Sequence, residues 1–187
     1  MALTTAQLQA IKADIVGDST LNANPNTPDG NSAIAAAYNL LASPNFFVYR
    51  TDIPLSDIYD QITWANLTPI DAPDGTQTWA NRSLACQGKQ FNLQLMLSGG
   101  QLTANASKAN VRAGLQDALT NVPSATGTGT QSAGWVNVRD NALARKSTRG
   151  EKLLATLTQN GSTAALAATL TFEGALTYHD IEAARAS

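Results

Sequence analysis

Residues 78–97, TWANRSLACQGKQFNLQLML, form the longest stretch of the chain whose apolar residues keep a helical period, and the fold class turns on how it is read. Leu84, Phe91 and Leu95 fall on one face, while Cys86, Leu93 and Leu97 widen the stripe. Gly99-Gly100 ends it, because glycine accepts the backbone conformations that close a helix. The period predicts a helix, and its length makes it the expected core helix of the molecule.

Outward from this segment the same period recurs. Towards the N-terminus, Thr4 or Thr5 caps a helix bearing Leu8, Ile11, Ile15 and Val16, stopped at Gly17. Pro28, after an Asn26 or Thr27 cap, opens a second helix through Ile34, Ala37, Tyr38 and Leu41, ended by Pro44. Residues 46–50, FFVYR, are aromatic and β-branched, which predicts a short strand or an extended arm. Pro54, Ser56 and Asp57 introduce a short helix with Leu55, Ile58 and Ile62, and the chain is loop-like over 64–74.

Towards the C-terminus, Val111, Leu115, Ala118, Leu119 and Val122 mark another helix, halted by Pro123. The low-complexity run 124–134 has little apolar area to bury and is expected to be a mobile loop. Trp135, Val138, Ala142 and Leu143 line one side of a helix, and Thr148 with Glu151 forms a T-x-x-E capping box that starts a new one through Leu153 and Leu154. A β-like stretch at 168–173 and a helix from Tyr178 or His179 through Ile181 to Arg185 complete the chain. The expected fold is mainly α: an irregular helical bundle with one or two small β elements and extended arms. It is expected as a single domain over 1–187 with a C-terminal interaction segment at 168–187.

Charge is distributed unevenly along this scaffold. Residues 1–81 carry a net −6, residues 82–152 a net +6 and residues 153–187 a net −2. The basic block is concentrated in Arg139, Arg145, Lys146, Arg149 and Lys152, which recur at roughly helical spacing. Three readings fit this series: a solvated helix face, a surface that binds the acidic face of a neighbouring subunit, or a contact with nucleic-acid backbone. With an overall net charge of −2 and a pI near 5.2, the chain lacks the whole-domain basicity of a dedicated nucleic-acid binder. Only 14% of its residues are charged, against about 25% in an ordinary globular domain, which favours a surface covered by neighbours.

Chemistry is sparse. His179 is the only histidine, so HExxH and histidine-rich metal sites lack their residues, and no G-x-S-x-G accompanies it. Cys86 is the only cysteine, which excludes an intramolecular disulfide, and its helix makes it a small core hydrophobe. Asp52, Asp57 and Asp60 do not match an EF-hand loop and read as a solvated or docking face. No catalytic, cofactor-binding or metal-binding residues are expected. The chain opens without a secretion signal and contains no run of 18 apolar residues, so synthesis in the cytoplasm and no membrane contact are expected.

Several segments together resemble a known family. They are Ala37-Tyr38-Asn39 with Ala42-Ser43-Pro44, Phe47-Val48-Tyr49-Arg50-Thr51, Asn110-Val111-Arg112-Ala113-Gly114, residues 144–153 (ARKSTRGEKL) and Thr171-Phe172-Glu173-Gly174. Their succession resembles that of small structural proteins of tailed bacteriophages, the head-to-tail connectors or adaptors of the virion neck.

The resemblance implies a homo-oligomeric ring, expected to hold twelve subunits, docked beneath the portal protein. The ring would meet a tail-side neck or terminator protein and let double-stranded DNA pass through its lumen. It also implies assembly in the host cytoplasm and no enzymatic turnover. Residues 139–152 and the tail from Phe172 are the segments expected to contact portal or neighbour. Within the ring, Arg112, Arg139 and Arg149 would pair with Asp52, Asp57 or Asp60 of a neighbour, while Arg145, Lys146 and Lys152 extend the basic face. Burial of Phe46, Phe47, Tyr49 and Trp135 would supply the larger binding term. A tail terminator or head-completion protein is the rival within the same class; a small regulatory helical protein or a hydrolase is the rival outside it.

Overall fold

Thr4 opens the first helix by a reciprocal cap: its hydroxyl accepts from Gln7 N–H, and its own N–H donates to Gln7 Oε1 at 2.9 Å. The computed structural model describes residues 3–67, 84–123, 129–156 and 159–187. In chain order these form α1 (Thr5–Gly17), α2 (Ser19–Asn22), α3 (Pro28–Asn39), β1 (Phe47–Tyr49), β2 (Ile53–Pro54) and α4 (Leu55–Gln61). Then come a 3-10 turn at Trp64–Leu67, α5 (Leu84–Ser98), β3 (Thr103–Ala104), α6 (Ala109–Leu119), β4 (Val122–Pro123), β5 (Thr130–Gln131) and α7 (Trp135–Asn137). A π-helical stretch, Val138–Leu143, continues α7 and is followed by β6 (Ala144–Lys146), α8 (Arg149–Leu154), β7 (Ala155–Thr156), a 3-10 turn at Ala164–Leu166, β8 (Thr169–Leu170) and α9 (Tyr178–Ala186). The described chain is mainly helical with small two-stranded sheets, as the periodicity predicts.

Contacts divide the chain into two compact units, one of residues 1–48 and 146–187, the other of residues 49–145. The first is a bundle of α1, α3, α8 and α9 around Ile11, Ile15, Leu21, Ile34, Tyr38, Leu154, Phe172, Leu176 and Ile181. Each fully buried isoleucine among them contributes roughly 1.5–3 kcal/mol of transfer free energy. Asp18 serves two helices, since its N–H closes α1 on Asp14 O and its carboxylate caps α2 through Thr20 and Leu21. Thr27 caps α3, with Pro28 at the first position where its missing N–H costs nothing. The Asn39 side chain both donates to and accepts from the backbone of Leu176, at 2.9 and 2.8 Å. Arg185 of α9 clasps the turn before α3 through Asn24 O, Pro25 O and Asn31 Oδ1. A second apolar cluster joins Ala42, Phe46, Val48 and Ala168, beside the antiparallel β7–β8 pair.

In the other unit, α5 packs on α6, and α4 packs on the π stretch. The core holds Ile53, Ile58, Leu93, Leu97, Leu115, Leu119, Val138 and Leu143. Two ladders stitch its loops: Ile53 pairs with Ala104, and Val122 with Gln131. Gly134 has φ +94, and a Cβ there would lie 2.7 Å from Gln61 O, so the chain can back onto the end of α4 only with glycine.

Four sequence expectations need correction. On α5 the order of the two stripes is inverted: Cys86, Leu93 and Leu97 are buried, whereas Leu84, Phe91 and Leu95 stand open at 86%, 53% and 56% exposure. Both stripes have the same period, so spacing alone does not tell which one meets α6. Leu41 and Val16, expected on core stripes, are exposed, because α3 ends at Asn39 and Val16 sits in the last turn of α1. The helix after Trp135 widens into a π turn, which brings Val138, Ala142 and Leu143 all into the core. Finally, the basic series has no single helix: Arg139 lies in the π stretch, Arg145 and Lys146 in β6, and Arg149 and Lys152 in α8 beyond the Thr148 cap. Of the expected loop 124–134, residues 130–134 form β5 and a buried return at Ala133, while 124–128 lie outside the described residues. So do 68–83, which contain the start of the expected helix 78–97 and most of the expected loop 64–74.

Candidate interaction surface

The capping box at Thr148 positions the best-defined site. Glu151 is 2% exposed, and its carboxylate accepts from the N–H of Thr148 at 3.0 Å and of Gly174 at 3.2 Å. This fixes the first turn of α8 and points Arg149 at α1. Arg149 Nη2 donates to Asp14 Oδ2 at 2.8 Å and to Asp18 Oδ2 at 2.9 Å, and its guanidinium lies 5.2 Å from the Tyr38 ring. Tyr38 in turn donates to Asp14 at 2.8 Å. Burial, then the bond to Asp14, pushes the Tyr38 phenol well above its ordinary range. The Arg149 hydrogen bond, helped by Leu21 N–H, holds the Asp18 carboxyl below its ordinary value. Partial burial opposes the charge on Arg149, but its bonds to Asp18 and Asp14 outweigh it and raise the guanidinium pKa.

Beside this network runs a cleft of about 720 Å³, with Asp14, Asp18 and Arg149 on one wall, Leu40, Leu41 and Leu153 on another, and Phe46 and Lys152 within it. Leu40 and Leu41 are 67% and 62% exposed. Lys152 Nζ lies 5.8 Å from the Phe46 ring. The same two residues also line a neighbouring cleft of about 640 Å³ with Pro44, Asn45, Gln159, Asn160 and Ser162. The two clefts therefore share a floor that is aromatic and cationic.

The second unit uses most of its expected interface residues internally. Arg112 lies 4.0 Å over the Tyr49 ring and donates to Ala106 O and Ser107 O. Arg139 pairs with Asp140 at 2.6 Å, a bond that raises its pKa. Arg50, which sequence reasoning did not single out, pairs with Asp57 at 2.8 Å. Asp52 and Asp60 are exposed. Trp135 and Tyr49 are buried in this unit, and Phe46 and Phe172 in the other, so these four rings serve the cores. Phe47 and Arg145 are half-buried and Lys146 is exposed. An apolar groove of about 440 Å³ runs between Tyr59, Trp64 and Leu67 and the α5 residues Leu93 and Leu97, with the Tyr59 and Trp64 rings stacked at 5.4 Å.

His179 is exposed beside Glu182 and lines none of these clefts. Among the described residues no group of three or more His, Cys, Asp or Glu is placed to hold a metal ion. No described helix is long and apolar enough to cross a membrane. Sequence reasoning missed the Leu40-Leu41 rim, although a signal was present: two adjacent leucines at a helix end cannot both face one core. Compared with known proteins, the chain matches no family, no curated protein and no solved structure.

Proposed function

We propose that the chain is a structural assembly protein, a subunit of the ring between portal and tail of a tailed bacteriophage. The observation that carries the assembly reading is large apolar surface left open in two places, the Leu40-Leu41 rim of the α8 cleft and the outer face of α5. Such surfaces in a folded protein belong against other protein. The finer assignment to the neck rests on the segment resemblance, and with it come the twelve-fold ring, the portal and tail-side partners, the passage of double-stranded DNA and the virion location. In this reading the α8 cleft is the docking surface, since it joins aliphatic rim, aromatic floor and a cation in one concavity. Arg112, Arg139 and Arg149 are engaged within their own units, which moves the intersubunit electrostatics to Lys146 and Lys152 on one side and Asp52 and Asp60 on the other.

Single-particle imaging of virions or reconstituted necks, with this chain traced in the density, tests the proposal. A twelve-fold ring against the portal is expected. A six-fold ring at the top of the tail would replace the adaptor with a terminator, and absence from the particle would overturn the virion reading.

A further inference from the structure

The exposed face of α5 is a row at successive intervals of four, three and four residues: Leu84, Gly88, Phe91 and Leu95. That is the spacing of a helix–helix seam. The row is not surplus core, because the opposite face of α5 is already occupied. Cys86, Leu93 and Leu97 are buried there, Met96 lies against Gly114 of α6, and Lys89 reaches Asp117 at 3.1 Å. Lys89 is the only charged side chain in Leu84–Ser98, and its partner is on that inner side. The row and its flanks, Ala85, Gln87, Asn92 and Gln94, are uncharged.

The order of the row also reads the same by size from either end, apart from its centre: leucine, glycine, phenylalanine, leucine. An antiparallel pairing about a two-fold axis places Leu84 opposite Leu95 and Gly88 opposite Phe91. A Cβ on Gly88 would meet nothing, so the glycine is an open notch, and the Phe91 ring of a facing copy is the group that fills it. A charged partner finds no complement on this face, whereas a second copy finds its own pattern. We infer that α5 is a self-association face on which two copies of this chain pair antiparallel through Leu84, Gly88, Phe91 and Leu95.

The contact is small. One row of a 15-residue helix covers less than the roughly 800 Å² per partner of a standard interface, so the dimer is reversible and depends on concentration. As a two-fold contact it pairs subunits and does not close a ring, so it concerns the free protein and rests on no part of the neck reading.

The test mixes two single-cysteine variants of the full chain, Leu84→Cys and Leu95→Cys, under mild oxidation. Native Cys86 is fully buried and does not compete. Antiparallel pairing gives a crosslinked heterodimer from the mixture and little from Leu84→Cys alone, because its two copies stand roughly 16 Å apart along the seam. Adding Phe91→Asp to both variants is expected to lower the yield about tenfold. Efficient crosslinking of Leu84→Cys with itself would overturn the antiparallel arrangement. No crosslink in the mixture, together with wild-type sedimentation that stays monomeric as concentration rises, would overturn the self-association face whatever rings the virion contains.

Discussion

Arg149 Nη2 donates to Asp14 Oδ2 at 2.8 Å across 135 positions of sequence, fastening α8 to α1 at a point where Asp18 accepts a second bond from the same nitrogen. About a third of each of the three side chains is exposed, so solvent screens the pairs, and their worth comes from convergence on one guanidinium. Arg149→Ala is expected to lower the stability of the first unit by about 1–2 kcal/mol, read as a lower midpoint in urea unfolding with an unchanged slope. Wild type, but not the variant, should lose part of this difference in high salt.

This pairing shows where sequence reasoning stops. The caps at Thr4, Thr27, Thr148 and Thr177, and the helices they start, were legible because capping depends on neighbours within four residues. The partners of Arg149 lie on α1, and nothing in the period of either helix announces them. On α5 the limit is different: both stripes were visible, but whether Leu84, Phe91 and Leu95 or Cys86, Leu93 and Leu97 turn inward depends on what α6 offers. Aromatic residues misled for a related reason, since Phe46, Tyr49, Trp135 and Phe172 suit an interface and a core equally by composition.

Acid should weaken the same network. The Asp18 carboxyl is held below its ordinary value of 3.8, chiefly by the Arg149 hydrogen bond. A depressed folded-state pKa means that its stabilisation is complete above the unfolded value and fades as pH falls through the lower folded one. Wild type therefore loses stability on acidification from about pH 4 downward. Asp18→Asn is expected to be less stable than wild type at neutral pH and to converge with it in acid. Parallel pH profiles for the two proteins would show that Asp18 is not the titrating group.

Gly161 is the glycine whose replacement should cost most in the first unit. Its φ is +61, and a Cβ would lie 2.3 Å from the Phe46 ring. Its neighbours leave no slack, because Gly161 O accepts from Phe47 N–H at 2.7 Å and Gly161 N–H donates to Leu166 O at 2.9 Å. Gly161→Ala combines left-handed strain with overpacking, an expected loss of about 2–4 kcal/mol by denaturant unfolding. Because Phe46 floors both clefts, the variant should also shift amide signals of residues lining them; an unchanged spectrum there would mean that the ring yields without moving its neighbours.

The buried carboxylate of Glu151 is the most consequential single group of α8. One oxygen closes the capping box on Thr148 N–H, and the other holds Gly174 N–H, a residue 23 positions away. Glu151→Gln retains one carbonyl oxygen for two donors, so one N–H meets an NH2 group and is left unsatisfied, at an expected cost of about 1–3 kcal/mol. Thr148→Ala removes the hydroxyl half of the box alone and should cost about 1 kcal/mol. If the two act as one unit, the double variant loses less than the sum of the singles, a coupling that a double-mutant cycle reads directly. Strict additivity would instead mean that Glu151 acts through Gly174 alone, and that the turn entering α9 depends on it more than the start of α8 does.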